Sequence, residues 1–320
     1  MFAENIVCTH PRCDRRSFHK SGRCPQHLSK LIWATKAKDP AIDLRLARGK
    51  FESAARKQWT FPPSYDIVRE RIEDILHGKR PGSDLVVLDD EFSPASHQLW
   101  EFAMIERISG DAVINTIIEH QDGLEHYSLG ENPFLAFCSR AKAKSVFLPS
   151  RNIDHMNIHK IAETLQRKGI SQDTIILVYH KTRMDLKLLR QLLESEGYCD
   201  ILPPDENCFP LIQLLRTNMF KGLPKDQHFP LKLEIVFPIM FPRHELIGLN
   251  HQALVDYEQA RLVCKSIDEL CKPVDERGEE WQPETIARSG QTSILDWLRD
   301  GGIHNTVNGE LLPPFEGDYC

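Results

Sequence analysis

Leu85-Val-Val-Leu-Asp-Asp-Glu-Phe92 is the stretch that decides the fold. Its first four residues are an unbroken apolar run, the mark of a strand buried on both faces. Side chains alternate along a strand, so Asp89 and Glu91 project to one face and Asp90 to the other. Two carboxylates on one face, ending an interior strand, make a hard-oxygen pair suited to magnesium or manganese. Taken alone, Asp-x-Glu fits a solvated turn equally well. The weight therefore falls on what the rest of the chain brings to it.

Two further acids fall where an apolar side chain is expected. Asp185 opens a helix whose apolar positions include Leu188, Leu189 and Leu192, and helical spacing puts all four residues on one face. A carboxylate favouring the helix N-terminus is the alternative at that position. Asp256 lies inside a stripe made by Ala253, Ala260, Val263, Ile267 and Leu270 on a helix starting near Asn250. A carboxylate on a buried face is costly unless a cation pairs with it. His251 precedes Asp256 by five residues, about 140° round a regular helix. It is expected at the helix entrance, after Gly248-Leu-Asn250, where a rim histidine titrates near neutral pH and takes a proton from water.

These segments resemble the Exo I, Exo II and Exo III motifs of the DEDDh family of 3′→5′ exonucleases, in the RNase H-like superfamily. Asp89-Asp-Glu91 matches the first and His180-Lys-Thr-Arg-Met-Asp185, followed by Leu188-Leu189, the second. His251-Gln-Ala-Leu-Val-Asp256 matches the third, and its His-x4-Asp spacing separates this subtype from the tyrosine one. The resemblance covers residues 82–272. It departs in the second motif, where Lys181 and Met184 replace the Asn and aromatic residue common in the family. That departure bears on contacts near the scissile phosphate, not on the ligand.

The resemblance implies an α/β, RNase H-like three-layer fold with a mixed five-stranded sheet and Asp89 and Glu91 on its central strand. It also implies that Asp89, Glu91, Asp185 and Asp256 hold two Mg2+ or Mn2+ ions. One ion would activate water and the other steady the leaving 3′ oxygen, with His251 as general base. The expected activity is metal-dependent hydrolysis of phosphodiester bonds at single-stranded nucleic-acid ends, releasing nucleoside 5′-monophosphates. RNA is slightly favoured over DNA, because a free-standing arm suits RNA processing and no polymerase-like region accompanies the domain. The alternative is a catalytically inactive protein of the same fold that binds nucleic acid or serves as a scaffold; the presence of all five residues argues for turnover.

Charge is divided unevenly. Residues 1–80 carry 17 Lys and Arg against 9 Asp and Glu, whereas residues 81–320 carry 23 against 37. The basic N-terminal arm is the natural phosphate-attracting element beside an acidic body. No stretch approaches a membrane span, and the first residues lack a signal peptide's basic and apolar regions. Nine cysteines then argue for thiols or metal ligands in an intracellular protein.

The arm opens with Cys8-Thr-His-Pro-Arg-Cys13 and Cys24-Pro-Gln-His27. Cys8, Cys13, Cys24 and His27 read as a zinc-knuckle-like Cys3His site for structural Zn2+. His10 or His19 are substitute ligands, and unpaired thiols are the other reading. Four domains are expected: a knuckle at 1–30, a charged helical linker at 31–81, the exonuclease domain at 82–272 and an acidic C-terminal extension at 273–320. The arm and the tail are candidate docking elements for a protein partner. Strands are expected at 100–108, 112–119, 174–179 and near 199–202, with an amphipathic helix at 158–168 and a short one near 293–299. His155 and His159 read as surface residues one helical turn apart, and the 139–144 run Ser-Arg-Ala-Lys-Ala-Lys as a solvated charge run within reach of phosphate.

Overall fold

The computed structural model describes residues 44–120, 139, 142–143, 146–147, 151, 153–248 and 253–290, with the backbone alone of 306–307 and 310–311. The zinc-site candidates Cys8, Cys13, Cys24 and His27 lie outside these residues, as do His251 and the helix expected near 293–299.

Six strands form one mixed sheet: β1 Leu85–Phe92, β2 Leu99–Glu106, β3 Ala112–Ile118, β4 Asp154–Met156, β5 Ile175–Val178 and β6 Cys208–Pro210. Their order is β4-β3-β2-β1-β5-β6. β1 runs antiparallel to β2 and parallel to β5, so it is interior, as its apolar run requires. The fold is α/β and compatible with three layers. The sheet differs from the five-stranded expectation at both edges. β4 is only three residues long and too short to leave a periodic signal. The strand expected near 199–202 is not formed. Ile201 and Leu202 are buried, but Pro203-Pro204 follow without N–H groups to donate, and pairing with β5 starts only at Cys208.

Alternation along β1 splits the core. Leu85 and Val87 face one apolar cluster with Ala103, Ile105 and Leu177; Val86 and Leu88 face another with Phe102, Met104 and Ile176. Helix α3 (Ile158–Arg167) and helix α4 (Met184–Glu194) cover the second face through Ile161, Leu165, Leu186 and Leu189. The first face is covered by helix α5 (Leu211–Met219), helix α6 (Leu233–Met240) and the long helix α7 (Ala253–Cys271). Ala260, Val263, Ile267 and Leu270 of α7 are all buried, the stripe read from the sequence.

The stretch read as a linker enters this core. Helix α1 (Leu44–Ala55) and helix α2 (Asp66–Leu76) bring Phe51, Ala55, Tyr65 and Val68 into the cluster around Leu85. Buried Arg48 donates to the carbonyls of Ile239 and Ile286, and Tyr65 donates to that of Pro210. From the other end, Trp281 and Ile286 pack in the same cluster, and Arg277 donates to Ala55 O at 2.5 Å and Leu270 O at 3.0 Å. Boundaries at 82 and 272 therefore do not separate one hydrophobic core from another. Charged positions misled because these arginines are satisfied by buried carbonyls, not by water.

His155 lies on β4 and His159 on α3, both exposed, so they are not one turn apart on a helix; His159 instead meets the hydroxyl of Tyr198 at 2.9 Å. Cys264 is buried as a free thiol and Cys271 partly so, as small core residues. Among the described residues no helix is long and apolar enough to cross a membrane.

Candidate metal centre

The two helices carrying the outlying acids cover opposite faces of β1. α7 brings Asp256 to the face of Asp89 and Glu91, and α4 brings Asp185 to the face of Asp90. The acids therefore approach the C-terminal end of β1 from both sides.

Asp89, Glu91 and Asp256 each place a carboxylate oxygen within 4.8 Å of the others. Glu91 is buried, while Asp89 and Asp256 are partly exposed, so the group opens to solvent on one side. Burial drives the Asp89 carboxyl well above the ordinary range, and the charges of Asp256, Asp185, Glu91 and Asp90 push it further. Three carboxylates at such range repel one another until protons or cations intervene.

Asp185 stands outside that trio. It is the second residue of α4, which follows Arg183 in a left-handed conformation (φ 52°). A non-glycine residue there is strained by about 1 kcal/mol or more, and such strain is often found at functional turns. The Asp185 carboxyl lies against that of Asp90, with its charge also acting on Asp89. Both oxygens of Asp90 are buried and meet no donor. An ionised carboxylate only accepts, so Asp185 satisfies Asp90 only through a shared proton. Burial raises the pKa of both groups, Asp90 well above the ordinary value; repulsion by Asp185 adds to it at Asp90, and the hydrogen bond from Asp90 lowers it at Asp185.

A cation meets this cluster. Lys142 Nζ is 2.6 Å from Glu91 Oε2 and 4.9 Å from the centre of the Phe92 ring. Burial pulls its ammonium pKa down, but Glu91, Asp90 and Asp89 outweigh that and the net shift is upward. One pairing step away, Glu101 lies directly opposite Glu91 across the β1–β2 ladder. Glu101 is fully buried and accepts two hydrogen bonds of 2.7 Å from Arg151, the bidentate geometry a guanidinium favours. It also accepts from the backbone N–H of Ala253, the first residue of the helix that carries Asp256. Burial raises the Glu101 pKa, with Arg151 acting against it.

Of the residues singled out from sequence, the fold brings Asp89, Glu91 and Asp256 into one group and sets Asp185 beside it, next to Asp90. His251, two positions before Ala253, lies outside the described residues. Lys142, Arg151 and Glu101 were not read as parts of the site. For Lys142 a signal existed in the 139–144 charge run; Arg151 and Glu101 become neighbours only through the sheet register. The donor set, oxygen throughout, fits magnesium or manganese.

Comparison with protein-family models, with curated proteins and with solved structures gave no match to this chain.

Proposed function

We propose that the chain is a metal-dependent 3′→5′ exonuclease acting on single-stranded nucleic-acid ends, RNA slightly ahead of DNA. The observation that carries the reading is the trio Asp89, Glu91 and Asp256 within 4.8 Å at the end of an interior strand. Asp185 at the tip of α4 completes the set of acids that the DEDDh resemblance asks for, and the sheet order around β1 is compatible with an RNase H-like fold. Two divalent ions held by these four acids would supply Lewis acidity and orientation for in-line displacement at phosphorus.

The remaining roles belong to the chain. Asp256 and Asp89, on the open side of the group, face the approaching phosphate; Glu91, buried, anchors the inner side. His251 takes the proton of the attacking water. Glu101 holds the first residue of α7, which fixes the height of Asp256 against β1. The basic N-terminal arm, with Zn2+ on Cys8, Cys13, Cys24 and His27, attracts the polyanion or docks a protein partner. An intracellular setting belongs to the same proposal.

The test is a time course on 5′-labelled single-stranded RNA and DNA of one sequence, with magnesium, with EDTA and with Asp89→Ala. A metal-dependent ladder shortening from the 3′ end and lost in the variant is expected. Binding without shortening, in magnesium and manganese alike, would leave the reading of an inactive nucleic-acid-binding protein. The ammonium already paired with Glu91 is the observation that favours that second reading.

A further inference from the structure

Lys142 is the cation paired with Glu91, and the nuclease reading leaves it without a task. Its Nζ sits at 2.6 Å from Glu91 Oε2, one of the two oxygens through which Glu91 would hold a divalent ion at 2.0–2.6 Å. Both cannot hold that oxygen in the same way. The lysine side chain is 26% exposed, whereas Glu91 is 4% exposed, so Lys142 is the member of the pair that reaches solvent. A lysine is a compact charge on a flexible stem with three rotatable donors, suited to changing partners. Phe92 supports the cation in its present position through its ring face. The body from residue 81 onward is strongly acidic, 23 basic against 37 acidic residues, so an incoming phosphate needs a local positive partner.

We propose that Lys142 is a resident cation of the acidic centre: it neutralises Glu91 until a divalent ion arrives, competes with that ion for the carboxylate, and then contacts a phosphate of the bound strand. The proposal rests on the nuclease reading above and adds to it a metal-competing, phosphate-binding residue. It also removes the apparent conflict between an ion-paired Glu91 and a metal centre, since the pair becomes the metal-free partner of a carboxylate that burial would otherwise leave unbalanced.

The test uses the full chain and two neutral variants, Lys142→Met and Lys142→Gln, each checked for an unchanged fold by circular dichroism. Mn2+ affinity is read by titration calorimetry without nucleic acid. Affinity for a fluorescent single-stranded RNA is read in Ca2+ over a range of salt. Removing the competing charge is expected to tighten Mn2+ binding about tenfold in both variants. RNA binding is expected to weaken about tenfold, with the slope of log affinity against log salt reduced by ~0.7, one phosphate contact on a single strand. Failure of either half overturns the proposal. Wild-type protein that binds no Mn2+ removes the nuclease reading and this inference with it. Wild-type protein that binds Mn2+ and cleaves RNA, beside variants that match it in both measurements, removes only the role of Lys142.

Discussion

Glu91 and Glu101 face each other across the β1–β2 ladder, and each has its own cation: Lys142 for Glu91, Arg151 for Glu101. Like charges directly opposite in a sheet are destabilising, so two separate counterions are the condition for this register. The two pairs differ in kind. Arg151 holds Glu101 through two hydrogen bonds and is itself nearly buried, a fixed structural pair. Lys142 holds Glu91 through one, from a partly exposed position.

Arg151→Ala should therefore destabilise the protein severely, by about 3–5 kcal/mol, because it leaves Glu101 buried and charged. Urea denaturation checks the value. Combining it with Glu101→Gln should recover much of the loss. A double variant as unstable as the single one would show that packing of the arginine, not the uncompensated charge, sets the cost.

Asp90→Asn should stabilise the metal-free protein. Neither oxygen of Asp90 finds a donor, and its neighbour Asp185 only accepts when ionised. An amide supplies the missing N–H, a change of about 1–3 kcal/mol for a buried polar group gaining its partner. Thermal unfolding at pH 8 in EDTA is the measurement; a lower Tm than wild type would mean that Asp90 has a partner the amide disrupts.

The pH dependence follows from Asp89, Asp90 and Asp185, whose pKa values burial and mutual repulsion raise. The folded protein then keeps protons that the unfolded chain has lost. Stability from these groups is full below the ordinary carboxylate value of about 4 and falls as pH rises through the raised values. Metal-free protein should thus melt higher at pH 5.5 than at pH 8, and magnesium should raise Tm more at pH 8. An equal magnesium effect at both values would contradict the linkage.

His251→Asn should leave Mn2+ and strand binding in place while slowing cleavage by about 10²–10⁴-fold, the usual worth of a positioned base. Single-turnover rates separate this from a binding defect. A variant that turns over at the wild-type rate would take the base away from His251.

How much of this was legible in sequence depends on the range of the signal. Leu85–Leu88 declared an interior strand because four consecutive apolar residues need cover on both faces. Asp256 stood out because an acid interrupts a clean 3.6-residue stripe, and α7 has that stripe buried. Asp185 was read correctly as the head of α4, but its pairing with Asp90 depends on which sheet face the helix covers, and alternation along β1 alone does not give that. β4 and β6 are three residues each, below the length at which periodicity speaks. Residues 31–81 read as a charged linker and 273–320 as an acidic extension, although Arg48 and Arg277 within them end on buried carbonyls. Arg151 and Glu101 are 50 residues apart, and only the folded sheet joins them.

The most direct test of the metal centre is a count of ions. Mn2+ bound to the full chain, followed by electron paramagnetic resonance, should show two ions per protein, spin-coupled when both sites fill, and Asp256→Ala should lose at least one. Wild-type protein with no specific Mn2+ at millimolar concentration, while Glu91 keeps its pair with Lys142, would contradict the metal centre outright.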